Sequence, residues 1–215
     1  MSTIAIIDYG MGNLHSIAKA LEHVAGKERV IVSGDHEKIL AADRVVFPGV
    51  GAIRDCMAEL ERSGLDTVVK KAAANKPLLG VCLGMQALLD HSEENQGTDC
   101  LGLIPGNVRH FPGSDPDNSE SERLKIPHMG WNQVQQQRGL SMWTDIPNDS
   151  RFYFVHSYYV ETSRAEDVAA TTRYGIEFAS VLLHENIFAV QFHPEKSQHA
   201  GLQLLSNFVQ WNGDS

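Results

Sequence analysis

Cysteine is scarce in this chain. Cys56, Cys82 and Cys100 are the three among 215 residues, an odd number at wide and irregular spacing. No disulfide framework and no CxxC metal site can be written from them, so a reducing compartment is expected. Long apolar runs are missing as well: no window approaches the roughly 20 apolar residues of a membrane span. The opening "MSTIAIIDYG" lacks the basic segment, apolar stretch and small-residue cleavage site of a secretory signal, and the expected address is the cytoplasm. Positive charge is outnumbered, 18 Lys and Arg against 27 Asp and Glu. The net charge of -9 argues against broad binding to nucleic acid or anionic lipid, leaving small molecules and proteins as expected partners. The glycine turn "GMGN" has neither the P-loop lysine nor the full dinucleotide fingerprint.

What is present is enough apolar material, 42% of residues, for a proper core. In the first half, short apolar runs alternate with segments of helical spacing. "TIAIID" (3–8), "RVIVS" (29–33), "RVVF" (44–47) and "PLLGV" (77–81) read as strands. Residues 14–25, 52–62, 64–76 and 83–92 read as helices. That alternation predicts an α/β fold, a mostly parallel sheet with helices on both faces. The second half is β-rich, with runs at 127–135, 151–161, 168–174, 178–185 and 187–192. These predict antiparallel additions to the sheet or a small sheet beside it, closed by a terminal helix around Leu204, Leu205, Phe208 and Val209. The polar stretch 111–125 reads as an exposed loop, and no boundary divides residues 1–215 into two domains.

One cysteine stands apart. In "PLLGVCLGMQALL" (77–89), Cys82 lies between Gly80 and Gly84, after a strand and before a helix. G-x-C-x-G has the spacing of a nucleophile elbow, where a strained strand-to-helix turn exposes the reactive atom. The helix N-terminus favours a thiolate, and the Leu83 N–H points to where an oxyanion would form. The bland alternative is a core cysteine beside glycines needed for strand–helix packing. Cys56 and Cys100 have no such setting and read as structural.

A thiol nucleophile needs a base, and the base needs an orienting group. "QFHPEKS" (191–197) supplies His193 and Glu195 on either side of Pro194. Proline keeps the preceding residue extended, so residues two apart face the same side. His128 and His156, inside strand-like runs, read as structural. A second oxyanion donor comes from "PGVG" (48–51), whose glycines let the N–H groups around Val50 and Gly51 approach a substrate.

With these parts assembled, the chain resembles the class I glutamine amidotransferases, and among them the glutaminase subunits of imidazole glycerol phosphate synthase. The likeness runs through "IIDYGMGN", "FPGVGAI", "GVCLGMQ", "PHMGWN", "FVHSYYV" and "QFHPEKS". It departs at Ile53, where that subfamily commonly carries an aromatic residue, and in the length of the 111–125 loop. The resemblance implies that Cys82 attacks L-glutamine, that His193 moves the proton, and that Glu195 orients His193. It implies oxyanion donors at Val50 and Leu83, and glutamine contacts at Gly51, Gln86, Ser157 and Tyr158. Ammonia would pass to a (β/α)₈-barrel cyclase partner in histidine biosynthesis, docked near Asn13, Trp131, Asn132 and Lys196; no metal or organic cofactor is implied. The rival readings are a paralogous glutaminase serving another synthase, a non-catalytic interaction module, and a free-standing thiol hydrolase.

Overall fold

The computed structural model describes residues 2–112 and 124–214. The first half runs β1 (Thr3–Ile7), α1 (Leu14–Val24), β2 (Arg29–Ser33), α2 (His36–Ala41), β3 (Arg44–Gly49), α3 (Ile53–Ser63), α4 (Leu65–Ala73), β4 (Leu78–Cys82) and α5 (Leu83–Ala87). Short strands β5 (His91–Ser92) and β6 (Thr98–Asp99) lead to β7 (Gly106–His110), β8 (His128–Gln133) and β9 (Gln135–Gln136). Then come β10 (Arg151–His156), β11 (Tyr158–Thr162), β12 (Val168–Tyr174), β13 (Ile176–His184), β14 (Ile187–Val190) and α6 (Gln198–Gln210).

The large sheet has the order β2-β1-β3-β4-β14-β13-β11-β7-β5-β6, with β12 and β9 branching from β13. Its first five strands pair in parallel. In β1, Ile4 and Ile6 enter one apolar cluster with residues of α1 and α6, while Ala5 and Ile7 enter another with residues of α3 and α4. Alternate side chains are therefore buried on opposite faces, which is why the parallel strands read as unbroken apolar runs rather than alternating ones. Among the described residues no helix is long and apolar enough to cross a membrane.

Several expectations need correction. The helix read over 83–92 stops at Ala87, because His91 and Ser92 leave to pair with Asn107 and Val108 of β7. The run 151–161 is two strands broken at Ser157: β10 pairs with β8 in a separate two-stranded sheet, and β11 joins the large sheet. Both the antiparallel addition and the small sheet thus exist. The strand at 187–192 ends at Val190 and belongs to both regimes, antiparallel to β13 and parallel to β4. The exposed loop expected over 111–125 falls mostly on residues outside the described ones, and Phe111 at its start is fully buried. Ile53 is fully buried at the start of α3, so packing there tolerates the aliphatic residue.

The tightest constraint lies where two loops cross at the carboxyl ends of β3 and β4. A Cβ on Gly84 would sit 2.0 Å from the carbonyl oxygen of Phe47, inside any van der Waals contact. Gly84→Ala should therefore lower stability by about 3 kcal/mol or prevent folding. Gly139→Ala, where a Cβ meets nothing within 4 Å, should stay within about 0.5 kcal/mol of the parent. Urea unfolding of the two variants tests this, and equal midpoints would refute the clash.

Candidate active site

Three adjacent parallel strands deliver the pieces. Gly49 of β3 is in register with Cys82 of β4, and Val81 of β4 with Val190 of β14. The PGVG turn, Cys82 and the segment leading to His193 therefore emerge side by side at the carboxyl ends, where open α/β sheets gather ligands. Cys82 takes φ 53° and ψ −111°, a conformation L side chains rarely adopt. The surrounding contacts must hold that strain, and sites of chemistry are where it is commonly kept. Its sulfur lies 3.9 Å from the Val155 carbonyl and 3.9 Å from Gln191 Nε2, the first a hydrogen bond donated and the second one accepted. Because α5 is only five residues long, the helix field expected at Cys82 is that of a single turn.

The other thiols are kept protonated. Burial pushes Cys56 up to about 11, against an opposing hydrogen bond with Tyr9. Burial, with neighbouring Cys56, Asp99, Asp90 and Glu94, pushes Cys100 up to about 12.

His193 and Glu195 pair as the spacing predicts, with Nδ1 to Oε1 at 2.9 Å and both side chains almost wholly buried. The His193 backbone is pinned: its N–H donates to the Tyr153 carbonyl at 2.9 Å, and its carbonyl accepts from Ser197 Oγ at 2.6 Å. Burial alone would favour the neutral ring, but Cys82 and Glu195 outweigh it and raise His193 to about 10. His193 Nε2 and Glu195 Oε2 are buried without a hydrogen-bond partner among the described residues. Nε2 is the ring nitrogen not used by Glu195.

A cavity of about 320 Å³ opens on Cys82. Val50, Gly51, Leu83, Gln86, Ser157 and Tyr158 all line it, as the sequence suggested. Sequence reasoning missed Glu94, Pro127, Val155 and the wall formed by His156. The period-two pattern of β10 held a clue to Val155, whereas Glu94 sits in a polar stretch with no signal. A roomier groove of about 570 Å³, lined by His23, Asp145 and His199 among others, lies away from Cys82 and contains no cysteine.

The residues expected at a docking rim divide. Trp131 is 43% exposed and packs edge-on against Tyr153, with centroids 6.1 Å apart. The exposed Lys196 places its ammonium 5.9 Å from the same Tyr153 ring. Trp131, Tyr153 and Lys196 thus form one patch, of which Tyr153 was not foreseen. Asn13 is exposed ahead of α1 and borders a small space behind His193 and Glu195. Asn132 instead turns inward, donating to His128 Nε2 at 3.1 Å and to the Arg173 carbonyl at 3.0 Å.

The model of the family described as glutamine amidotransferase class-I matches residues 5–211. The chain is 58% identical over 213 residues to the imidazole glycerol phosphate synthase subunit HisH of Pseudomonas putida, covering 99% of each chain. It is 59% identical to the subunit of the same name from Nitrosococcus oceani, covering 100% of each. The chain belongs to the class I glutamine amidotransferases. The fold agrees with solved structures at low sequence identity. That of PurLQS from Thermotoga maritima has a TM-score of 0.71 at 16% identity and 98% coverage of both chains. That of another glutamine amidotransferase has 0.67 at 16% identity, covering 96% of this chain and 99% of its own.

Within this amidotransferase the two histidines read from the sequence as structural lie in β8 and β10, are buried, and are bonded to each other, His128 Nδ1 to His156 Nε2 at 2.8 Å. Burial lowers His128 to about 4. Burial lowers His156 to about 3, helped by His128 and His193 and opposed by its bond to the Tyr158 carbonyl. An ordinary histidine near 6.5 in the unfolded chain takes up protons that the folded pair refuses. Stability contributed by the pair is therefore full above about pH 6.5 and is lost as pH falls toward 4. Each ring should give a slope of up to about 1.4 kcal/mol per pH unit in that window. Urea midpoints from pH 6.5 down to 4.5, below the range in which the raised His193 still titrates against the unfolded chain, check the sign, since stability that stays flat or rises on acidification there contradicts it.

Proposed function

We propose that the chain is a glutaminase: it hydrolyses L-glutamine to glutamate and ammonia through Cys82, His193 and Glu195, and supplies the ammonia to a cyclase partner. The observation that carries this is Cys82, on the wall of the 320 Å³ cavity, interacting with a buried His193 that is itself bonded to Glu195. In the first half-reaction the Cys82 thiolate attacks the side-chain carbonyl carbon of glutamine. The resulting oxyanion accepts hydrogen bonds from the Leu83 N–H, which as the first residue of α5 has no intrahelical partner, and from an N–H of the Val50–Gly51 turn. His193, held as imidazolium, gives its proton to the amide nitrogen, the C–N bond breaks, and ammonia leaves a thioester on Cys82. Water then attacks with His193 as base, and a second collapse releases glutamate. Glu195 fixes the ring through Nδ1 and stabilises its charge.

The pocket also suits the rest of an amino acid. Among the described residues that line the cavity Glu94 is the one acid, and it offers a charge for an α-ammonium group. Its Oε2 is held by the Ile53 N–H at 3.0 Å, so the carboxylate is fixed before substrate arrives. Gln86 spends its amide hydrogens on the Tyr158 carbonyl at 3.1 Å and Gln191 Oε1 at 3.0 Å, which leaves its own carbonyl oxygen to accept from the ligand.

The relatives' name points to imidazole glycerol phosphate synthase in histidine biosynthesis, and the partner in this reading is the (β/α)₈-barrel cyclase of that enzyme. The Trp131–Tyr153–Lys196 patch is the docking face best supported. It is exposed, aromatic and cationic, as interface anchors tend to be, and through Tyr153 its backbone is bonded to His193.

A glutamine-derived electrophile should label Cys82 alone; a peptide map showing the label on Cys56 or Cys100 would sink the nucleophile assignment. In complex with the cyclase, His193→Ala should cost about 10³-fold or more in kcat, and Glu195→Ala clearly less, because it removes only the orienting group. Equal losses in folded variants contradict these roles. Trp131→Ala and Lys196→Glu should each weaken cyclase binding by about tenfold, 1.4 kcal/mol, with the fold intact. Titrations giving parental affinity for both would move the interface elsewhere.

A further inference from the structure

The buried histidines do more than fill space. Their hydrogen bonds form a path whose direction is fixed at both ends. At the inner end His156 Nδ1 lies 2.7 Å from the Tyr158 carbonyl, which only accepts, so Nδ1 carries the hydrogen. In the neutral ring Nε2 is then an acceptor, and the 2.8 Å bond to His128 must be donated by His128 Nδ1. That makes His128 Nε2 an acceptor in turn, and it receives the Asn132 amide at 3.1 Å. The outer end agrees independently. Asn132 must present NH₂ toward the Arg173 carbonyl at 3.0 Å, while its oxygen takes the Gln133 N–H at 2.8 Å. Two separate carbonyls therefore demand the same polarity, and both rings are Nδ1–H tautomers.

Beyond Tyr158 the path continues into the site. The Tyr158 carbonyl also accepts from Gln86 Nε2, whose second hydrogen goes to Gln191 Oε1, and Gln191 Nε2 reaches the Cys82 sulfur at 3.9 Å. A role as mere core filler explains this poorly. His128 is stacked between Phe154, at 4.8 Å, and Tyr174, at 4.0 Å, within an aromatic cluster that includes Phe111 and Phe178. Phenylalanine would satisfy such a site without burying polar atoms. What phenylalanine cannot do is hold a carbonyl at a set angle.

We propose that His128 and His156, held in register by Asn132, are positioning residues for glutamine. They fix the Tyr158 carbonyl, and through it the Gln86 amide, on the wall of the pocket facing Cys82. This rests on the reading of that pocket as the glutamine site.

The test exploits the two ring nitrogens. His156→Asn places an amide where Nδ1 was and keeps a donor for the Tyr158 carbonyl; His156→Gln places it where Nε2 was and loses that donor. Glutamine hydrolysis is measured for each variant and the parent in the cyclase complex, with KM and kcat separated. His156→Gln should raise KM about tenfold with kcat within about threefold, and His156→Asn should stay within about threefold of the parent KM. Equal KM values for the two variants, with an active parent, overturn the positioning role alone. A parent inactive on glutamine overturns the glutaminase reading instead. Should His156→Gln not fold, Asn132→Ala cuts the path at its part-exposed end and should raise KM about threefold; an unchanged KM counts against the proposal. On the parent protein, ¹⁵N spectra should show both rings neutral with the hydrogen on Nδ1 down to pH 5. An Nε2–H tautomer at either ring refutes the path without reference to activity.

Discussion

The structure depends on one backbone contact, the approach of Gly84 to the carbonyl of Phe47. It lets the turn after β4 lie against the end of β3, and the chain can reverse from strand to helix there only if Cys82 takes a positive φ. Strain of that kind costs about 1 to 3 kcal/mol and persists because its surroundings leave no alternative. The same contact sets the PGVG turn beside the sulfur. Gly49 has no room for a side chain either, with a Cβ there 2.9 Å from the Gly84 nitrogen and from Leu83 Cβ. Cys82 and the PGVG turn are therefore positioned by one packing event, and neither can be moved without the other.

Electrostatics then assign the protons. Three cysteines share one chain, but burial raises Cys56 and Cys100, while Cys82 faces a cavity and a histidine. The histidines show in the same way how context decides. His193 gains from Cys82 and Glu195 more than burial costs and is held protonated; His128 and His156, bonded to each other, to the Asn132 amide and to the Tyr158 carbonyl, have no carboxylate to offset burial among these partners and stay neutral. His184, bonded to the buried carboxylate of Asp167 at 3.1 Å, ties β13 to the turn before β12 and takes no part in lining the cavity at Cys82. Residue type alone does not distinguish these uses.

Much of this was legible in the sequence because the relevant signals are local. The elbow announces itself through Gly80, Cys82 and Gly84, the dyad through His193, Pro194 and Glu195, and the parallel strands through apolar runs buried on both faces. What escaped was set by long-range pairing. Leu88 and Leu89 continue a helical pattern, yet the helix ends at Ala87 because both leucines are buried whatever the conformation, and strand pairing at His91 decides. Ser157 carries no break signal in a run of strand formers; the break exists because β8 claims one side of it and β7 and β13 the other. Glu94 and Tyr153 joined the site only through folding.

That break at Ser157 is what joins the outer surface to the chemistry. Upstream of it, β10 lies in the two-stranded sheet with β8, presenting Tyr153 outward beside Trp131 and the backbone contact to His193. Downstream, β11 lies in the large sheet and supplies the Tyr158 carbonyl that holds Gln86. His156, the last residue of β10, bonds across the break to that carbonyl and is linked through His128 to Asn132 on β8. A small rotation of the two-stranded sheet would thus act at once on His193, through the Tyr153 carbonyl, and on the wall of the cavity at Cys82, through His156. Because rigid packed elements transmit displacement where loops absorb it, the two-stranded sheet that carries Trp131 and Tyr153 links the exposed patch to both His193 and the wall of the cavity at Cys82.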